Sequence, residues 1–190
     1  MSDKEIQHLE KIYRDNYSLL YNYGMKIISD DYAVKDIIQH VFLKVCYKNQ
    51  ILTVQNPRAY LVRSMRNACY DLISKKYKLI SIEDMEFNPP FDEDIFNSVF
   101  SVDDANMKRW KNVTMAINKL SPRQKQILWL FYVQNMSHKE IAEALGISSQ
   151  ASMNTISRAI NKIRQYVSIK ELQIGLLIFS PLTDSFLKLF

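Results

Sequence analysis

The stretch LSPRQKQILWLFYVQNMSHKEIAEALGISSQASMNTISRAINKIRQYV, from Leu120 to Val167, marks its own helix boundaries. Ser121 can cap a helix, with Pro122 at the first helical position and Gln124 three residues after the cap. Ser137 and Glu140 repeat the S-x-x-E device. Apolar stripes follow both starts, Ile127, Leu130 and Phe131 in the first case, Ile141, Ala144 and Leu145 in the second. Gly146 can take the left-handed conformation that stops a helix at no steric cost. Ser148 or Ser149 can then cap a third helix, whose Ile156, Ile160, Ile163 and Val167 share one face. Three short helices, the last two joined by a tight turn, are a helix-turn-helix, in which one helix braces the next in the major groove of DNA.

Caps and stripes would serve a helical bundle without a ligand equally well, and charge weighs against that plainer reading. From Ser121 to Lys170 there are seven Lys/Arg and two Asp/Glu, with Arg158, Lys162 and Arg164 on the third helix. A basic helix after a glycine turn suits a phosphate backbone. The whole chain, 190 residues at formal charge +5, fits a polyanionic partner only weakly. Its 47% hydrophobic content supports packed cores, and three glycines with five prolines favour long helices over many turns. Cys46 and Cys69 fall in helical patterns as small apolar residues, with neither zinc spacing nor a disulfide framework. A reducing cytoplasm is the expected location. The charged start MSDKEIQHLE is unlike a signal peptide, and no apolar run reaches the roughly 20 residues of a membrane span, so no membrane insertion is expected.

Upstream, residues 3–28 read as one helix with Ile6, Leu9, Tyr13, Tyr17, Leu20 and Ile27 on a face. Ser29, Asp30 and Asp31 interrupt it, and a second helix carries Val34, Ile37, Ile38, Val41, Phe42 and Val45. Asn56 and Pro57 open a third helix through about Lys76, with Leu61, Met65, Ala68, Leu72 and Ile73 inward. From Asn56 to Lys78 there are six Lys/Arg against one Asp. Leu79 to Met107 then holds eight acidic residues and no basic one, around Pro89-Pro90, and reads as a solvated linker. Asp103 or Asp104 can cap a further helix with Trp110, Val113, Ile117 and Leu120 inward. After Glu171, LQIGLLIFSPLTDSFLKLF is an apolar tail, expected to fold back over a core or else to meet a partner. The expected organisation is all-α: a helical domain over 1–78, an acidic linker over 79–105, a helix-turn-helix domain over 106–170 and a tail over 171–190.

No catalytic constellation is present: His8, His40 and His138 are scattered, and no phosphate loop, zinc-protease or nucleophile-elbow motif occurs. Neither an enzyme, a metal nor a cofactor is expected. Two blocks, however, resemble one family. AVKDIIQHVFLKV and NPRAYLVRSMRNACYDLISKK are similar to region 2, and LSPRQKQILWLFYVQNMSHKEIAEALGIS with SRAINKIRQ to region 4, of the extracytoplasmic-function sigma factors of bacterial RNA polymerase. The resemblance runs over about residues 5–168, in order and spacing.

That resemblance implies two small helical domains and a set of roles. Asp36, Gln39, His40 and Phe42 match the face that grips the polymerase core, with His40 standing where the family usually has an acidic residue. Phe42 would serve a core position as readily. Tyr60 and Asn67 match the strand-opening aromatic and a polar residue at the pocket for a flipped base of the −10 element, while Arg58, Arg63, Arg66, Lys75 and Lys76 would hold phosphates. Unpairing a base costs a few kcal/mol, which stacking and hydrogen bonding can offset. Gln150, Met153, Asn154, Ser157, Arg158 and Lys162 fall on the −35 helix. Arg158 keeps the commonest guanine reader, Asn154 and Gln150 suit adenine, and Met153 suits a thymine methyl. Met153 and Thr155 replace frequent basic residues, and Ser152 replaces a usual valine, which predicts an unusual −35 preference and looser packing of this helix. The expected function is an alternative sigma factor that binds core polymerase and promoter DNA, recognises −35 and −10 elements and assists melting, with an anti-sigma factor as a further candidate partner. The competing readings are a free-standing helix-turn-helix regulator and, with less support, an enzyme acting on nucleic acid.

Overall fold

The structure, a computed structural model, describes residues 3–48, 54–77, 87 and 112–167. The tail over 171–190, and the acidic stretch over 79–105 apart from Phe87, lie outside the described residues, as does the predicted cap at Asp103 or Asp104. Among the described residues every regular element is helical: α1 (Asp3–Ile28), α2 (Asp31–Lys48), α3 (Pro57–Tyr77), α4 (residues 112–118), α5 (Pro122–Leu128), a π-turn (Trp129–Val133), α6 (His138–Leu145) and α7 (Ser149–Arg164). Described residues within 1–88 and 139–149 make one compact unit, and those within 89–138 and 150–190 another.

In the first unit α1, α2 and α3 pack on one another. The α1–α2 boundary falls at Ser29, whose φ of 55° breaks the helical run, and the Asp30 carboxylate accepts from the Ala33 amide to start α2. Asn56 caps α3 in the same way, accepting from the Ala59 amide at 3.2 Å. Val34, Ile37, Ile38, Val41, Phe42 and Val45 are all buried, as the periodicity of α2 predicts. For α1 the predicted face holds in part: Leu9 and Leu20 are buried as expected, Ile6 and Tyr13 are exposed, and the buried stripe runs through Leu9, Ile12, Asn16, Leu19, Leu20 and Tyr23. A polar residue inside the stripe hides it, and Asn16 is tolerated there because its side-chain amide donates to the Ile12 carbonyl at 2.8 Å. Likewise α3 buries Ala59, Leu61, Val62, Met65 and Cys69, while Leu72 is exposed. Helix α1 makes its close approach at Gly24, where an added Cβ would lie 2.9 Å from Val34 Cγ1 and closer still to the end of Met65. Phe87, part of the stretch read as a solvated linker, is 2% exposed, its ring 5.7 Å from that of Tyr23.

In the second unit Val113, Ala116, Ile117 and Leu120 are buried, the last three of them and Val113 forming the inner face of α4 and its end. The capping box of α5 forms in full: the Ser121 hydroxyl accepts from the Gln124 amide and the Gln124 side chain accepts from the Ser121 amide. The chain after α5 departs from the predicted 3.6-residue stripe. It widens into a π-turn closed by the Gln134 amide on the Trp129 carbonyl, so that Leu128, Trp129, Leu130 and Tyr132 are buried and Phe131 stays half-buried. Asn135, at φ 51°, reverses the chain before α6. Gly146, at φ 68° and grouped with the first unit, ends α6; within the second unit α7 buries Ile156, Ala159, Ile160 and Ile163, with Val167 just beyond it. The Lys162 ammonium donates to the Lys119 carbonyl at the end of α4.

Candidate nucleic-acid interface

Three helices carry the residues singled out in the sequence, and each separates an inner apolar face from an outer polar one. On α2, Asp36, Gln39 and His40 are exposed at i, i+3 and i+4, joined one turn on by Leu43, an apolar side chain 57% exposed. Phe42 lies on the other side: it is 8% exposed and meets Tyr13 edge-on at 4.7 Å, at the floor of a shallow apolar groove of about 360 Å³ with Ile6, Leu9 and Cys46. The start of α2 is fixed by Asp31, which accepts from Lys35 Nζ at 2.8 Å and from the Tyr21 hydroxyl at 2.9 Å. The Lys35 ammonium, and then the Tyr21 phenol, hold the Asp31 carboxyl below the usual carboxylate range.

On α3, Tyr60, Arg63 and Asn67 follow one face, spanning about 10 Å along the axis at the helical rise per residue. Arg63, Asn67 and Lys75 are exposed, while Arg58 and Tyr60 are half-buried. Asp71 is exposed one turn after Asn67, the single carboxylate of this helix. Arg66 is half-buried and engaged within the first unit, its guanidinium donating to the Leu145 carbonyl at 3.2 Å. The side chain of Lys76 lies outside the described residues. Cys69 faces inward from the same helix, and burial pushes its thiol up to about 12, so it is an un-ionised apolar filler at neutral pH.

On α7, Gln150, Met153, Asn154, Ser157 and Arg158 are all exposed, on the side opposite the isoleucines. Gln150 Nε2 donates to Asn154 Oδ1 at 3.0 Å, which pre-aligns two amides of the kind that read adenine edges. Lys162 differs from its neighbours, since its ammonium is held by a backbone carbonyl rather than pointing away from the unit. Sequence reasoning also left out a contact behind this face. The ring of His138 stacks on Phe131, centroids 4.6 Å apart, and its Nδ1 lies 3.0 Å from the hydroxyl of Ser152, which is completely buried. Burial holds the His138 imidazole below its usual range, which favours the neutral ring. Fourteen residues separate the pair, and no local motif links them; the one sequence signal was a serine among the apolar positions of α7.

An exposed amide-and-arginine face after a glycine turn is what a major-groove reader requires, and α3 adds a second, differently built polar face. Two parts of one family match in the same order: the family described as Sigma-70 region 2 over residues 12–78, and that described as Sigma-70, region 4 over residues 110–163. The chain belongs to the sigma-70 family. Together with the relatives it matches, this makes it a sigma factor of the extracytoplasmic-function group, and the family implies binding to RNA polymerase core and promoter DNA. A free-standing helix-turn-helix regulator has no use for the region 2 block and is not favoured. Among curated proteins this sigma factor is similar to the RNA polymerase sigma factor SigZ of Bacillus subtilis (strain 168), 24% identical over 160 residues, covering 83% of this chain and 86% of the relative. It is also similar to the ECF RNA polymerase sigma factor SigM of the same organism, 19% identical over 156 residues, covering 82% and 93% respectively. Asp36 to Phe42 and Arg58 to Lys76 fall inside the region 2 match, and Gln150 to Lys162 inside the region 4 match. Among the described residues no helix is long and apolar enough to cross a membrane, and no group of three or more His, Cys, Asp or Glu could hold a metal ion.

Proposed function

We propose that the chain docks on the polymerase core through the exposed face of α2, opens the −10 element with α3 and reads the −35 element with α7. The observation that carries this reading is the outward face of α7, where Gln150, Met153, Asn154, Ser157 and Arg158 stand together and free of the core. Asp36, Gln39 and His40, with Leu43 as the apolar contribution, supply the docking face, while Phe42 supports it from the core side. Arg58, Arg63 and Lys75 hold phosphates; Tyr60 and Asn67 receive the unpaired base. The factor forms and breaks no covalent bond, the polymerase supplying the chemistry. It works where the polymerase is, in the cytoplasm, and an anti-sigma factor is a candidate regulator. Domain limits near 1–78 and 106–170 suit this division of labour.

The test is reconstitution of the chain with bacterial core polymerase on a library of promoters, with sequencing of the transcripts started. Initiation at sites sharing −35 and −10 elements is expected; no transcripts above core enzyme alone sinks the reading. Within it, Gln39→Ala combined with Leu43→Ala should weaken core binding by about 2 kcal/mol or more, the usual size of a hot-spot truncation, with helicity unchanged. Phe42 is unsuited to this test because truncating it removes buried packing. Asn67→Ala should slow open-complex formation on duplex promoters and matter much less on a template with a pre-melted −10 bubble, which already supplies the unpairing energy. Equal defects on both templates would move Asn67 from strand opening into general binding.

A further inference from the structure

Ser152 puts a hydroxyl on the inner face of α7, 0% exposed, in the turn that also carries Met153 and Asn154. Its partner is the Nδ1 of His138, the residue that opens α6, at 3.0 Å. The histidine ring is itself fixed from the other side. It stacks on Phe131 with the planes 22° apart, and Phe131 belongs to the π-turn. A ring nitrogen accepts or donates in the plane of its ring, so a clamped imidazole offers the Ser152 oxygen one direction of approach. A methyl group at position 152 would pack against the same ring over a range of helix rotations. The serine therefore exchanges an adaptable apolar contact for a directional one, at the point where α7 must be rotated correctly for its outer face.

We infer that His138 is a positioning residue for promoter reading: through its hydrogen bond to Ser152 it sets the rotation and seating of α7, and thereby where Met153, Asn154 and Ser157 stand against the bases of the −35 element. This rests on the proposed role of α7 in −35 recognition. A base contact is directional and gains nothing from a helix rotated away from it, so loosening the seat costs discrimination between bases more than it costs backbone binding. The groove beside the pair, about 390 Å³, is lined by His138, Met153 and Ser157 together with Ile156 and Ile160, so the reading side chains have room to move once the pair is broken.

The experiment is transcription by the full chain with core polymerase on a promoter drawn from the library above and on the same promoter with its −35 element scrambled; the readout is the ratio of the two. His138→Leu strands the buried hydroxyl and Ser152→Val strands the imidazole. The ratio should fall about five- to tenfold for His138→Leu, which leaves a buried polar group unpaired, and less but in the same direction for Ser152→Val, whose imidazole partner is half-exposed, with initiation from the scrambled promoter unchanged. The double variant His138→Leu/Ser152→Val should recover the ratio to within about twofold, because replacing both partners by apolar groups is nearly neutral. His138→Asn, whose amide can reach the place of Nδ1, should retain it as well. Where a single variant fails to fold, the double variant and His138→Asn still decide the matter. Single variants with the wild-type ratio, a double variant whose loss is the product of the two single losses, or a His138→Asn that loses the ratio would each overturn the positioning role. A wild-type chain indifferent to the −35 element would overturn the promoter reading and the positioning role together.

Discussion

Gly24→Val should lower the melting temperature of the first unit by roughly 10–20 °C and weaken binding to core polymerase with it. At this position α1 lies so close to α2 and α3 that a single added carbon meets Val34 Cγ1 at 2.9 Å and overlaps the end of Met65. Both neighbours are fully buried. Met65 can turn its flexible end aside, but Val34 is branched at Cβ and has no comparable freedom. Valine adds two further carbons in the same place, so the cost should reach about 3 kcal/mol, the upper part of the range for overpacked cores, against a total stability of ~5–15 kcal/mol. Gly24→Ala should be milder, since alanine recovers about 1 kcal/mol of helix propensity while forcing a smaller shift. Thermal unfolding followed by circular dichroism measures both. A Gly24→Val protein that melts with the wild type would show that the α1 approach is not as close as described.

Alone, the chain should bind promoter DNA weakly and with little regard to sequence, and core polymerase should convert it into a specific initiator. The region around α3 and the region around α5 to α7 each carry a local balance of +5, and eight acidic residues lie between them. A protein that neutralises six to ten phosphates loses roughly 10³- to 10⁵-fold in affinity between about 50 and 200 mM salt. Two small basic regions with eight acidic residues between them in sequence start from a lower affinity and meet the same competition. The holdings on α3 and α7 reduce it further, since Arg66 and Lys162 are already engaged with carbonyls of the chain. Core polymerase would hold the two regions at a productive separation and so raise the effective concentration of the second contact once the first is made. Fluorescence anisotropy of labelled promoter duplex, titrated with the chain at several salt concentrations with and without core, reads this directly. Tight, sequence-specific binding by the chain alone, with no transcripts when core is added, would overturn the sigma reading in favour of the helix-turn-helix regulator.

Much of this architecture is legible in the residues themselves, and the exceptions have local causes. Caps announce themselves because each is a short-range bargain between a side chain and a nearby amide: Ser121 with Gln124, Asn56 with Ala59, Asp30 with Ala33. Helix α2 is legible because its six inward positions are all apolar. Helix α1 is legible only in part: Leu9 and Leu20 are found, but Asn16 occupies the buried stripe and satisfies itself on the preceding turn, so a hydrophobicity count adds the exposed Ile6 and Tyr13 instead. Phe87 escapes for the opposite reason, being one aromatic in a charged stretch whose composition speaks for solvent. The outward residues of α7 follow from the inward isoleucines by subtraction. Which of them stay free does not, because the Lys162–Lys119 contact and the His138–Ser152 pair join residues distant in sequence.

The π-turn at Trp129–Val133 also bears on where this chain can lose a residue. An extra residue in a regular helix rotates everything beyond it by about a quarter of a turn, since each residue advances 3.6 to the turn. Here the surplus is absorbed within one widened loop of backbone, where the Trp129 carbonyl is reached by the Gln134 amide. One residue can therefore leave the WLFYV segment and let it close into an ordinary helix, with the elements before and after still in phase. The same deletion a turn earlier, inside α5, would swing the buried Ile127 and Leu128 out of register. A one-residue deletion in this chain is therefore best tolerated within that widened loop.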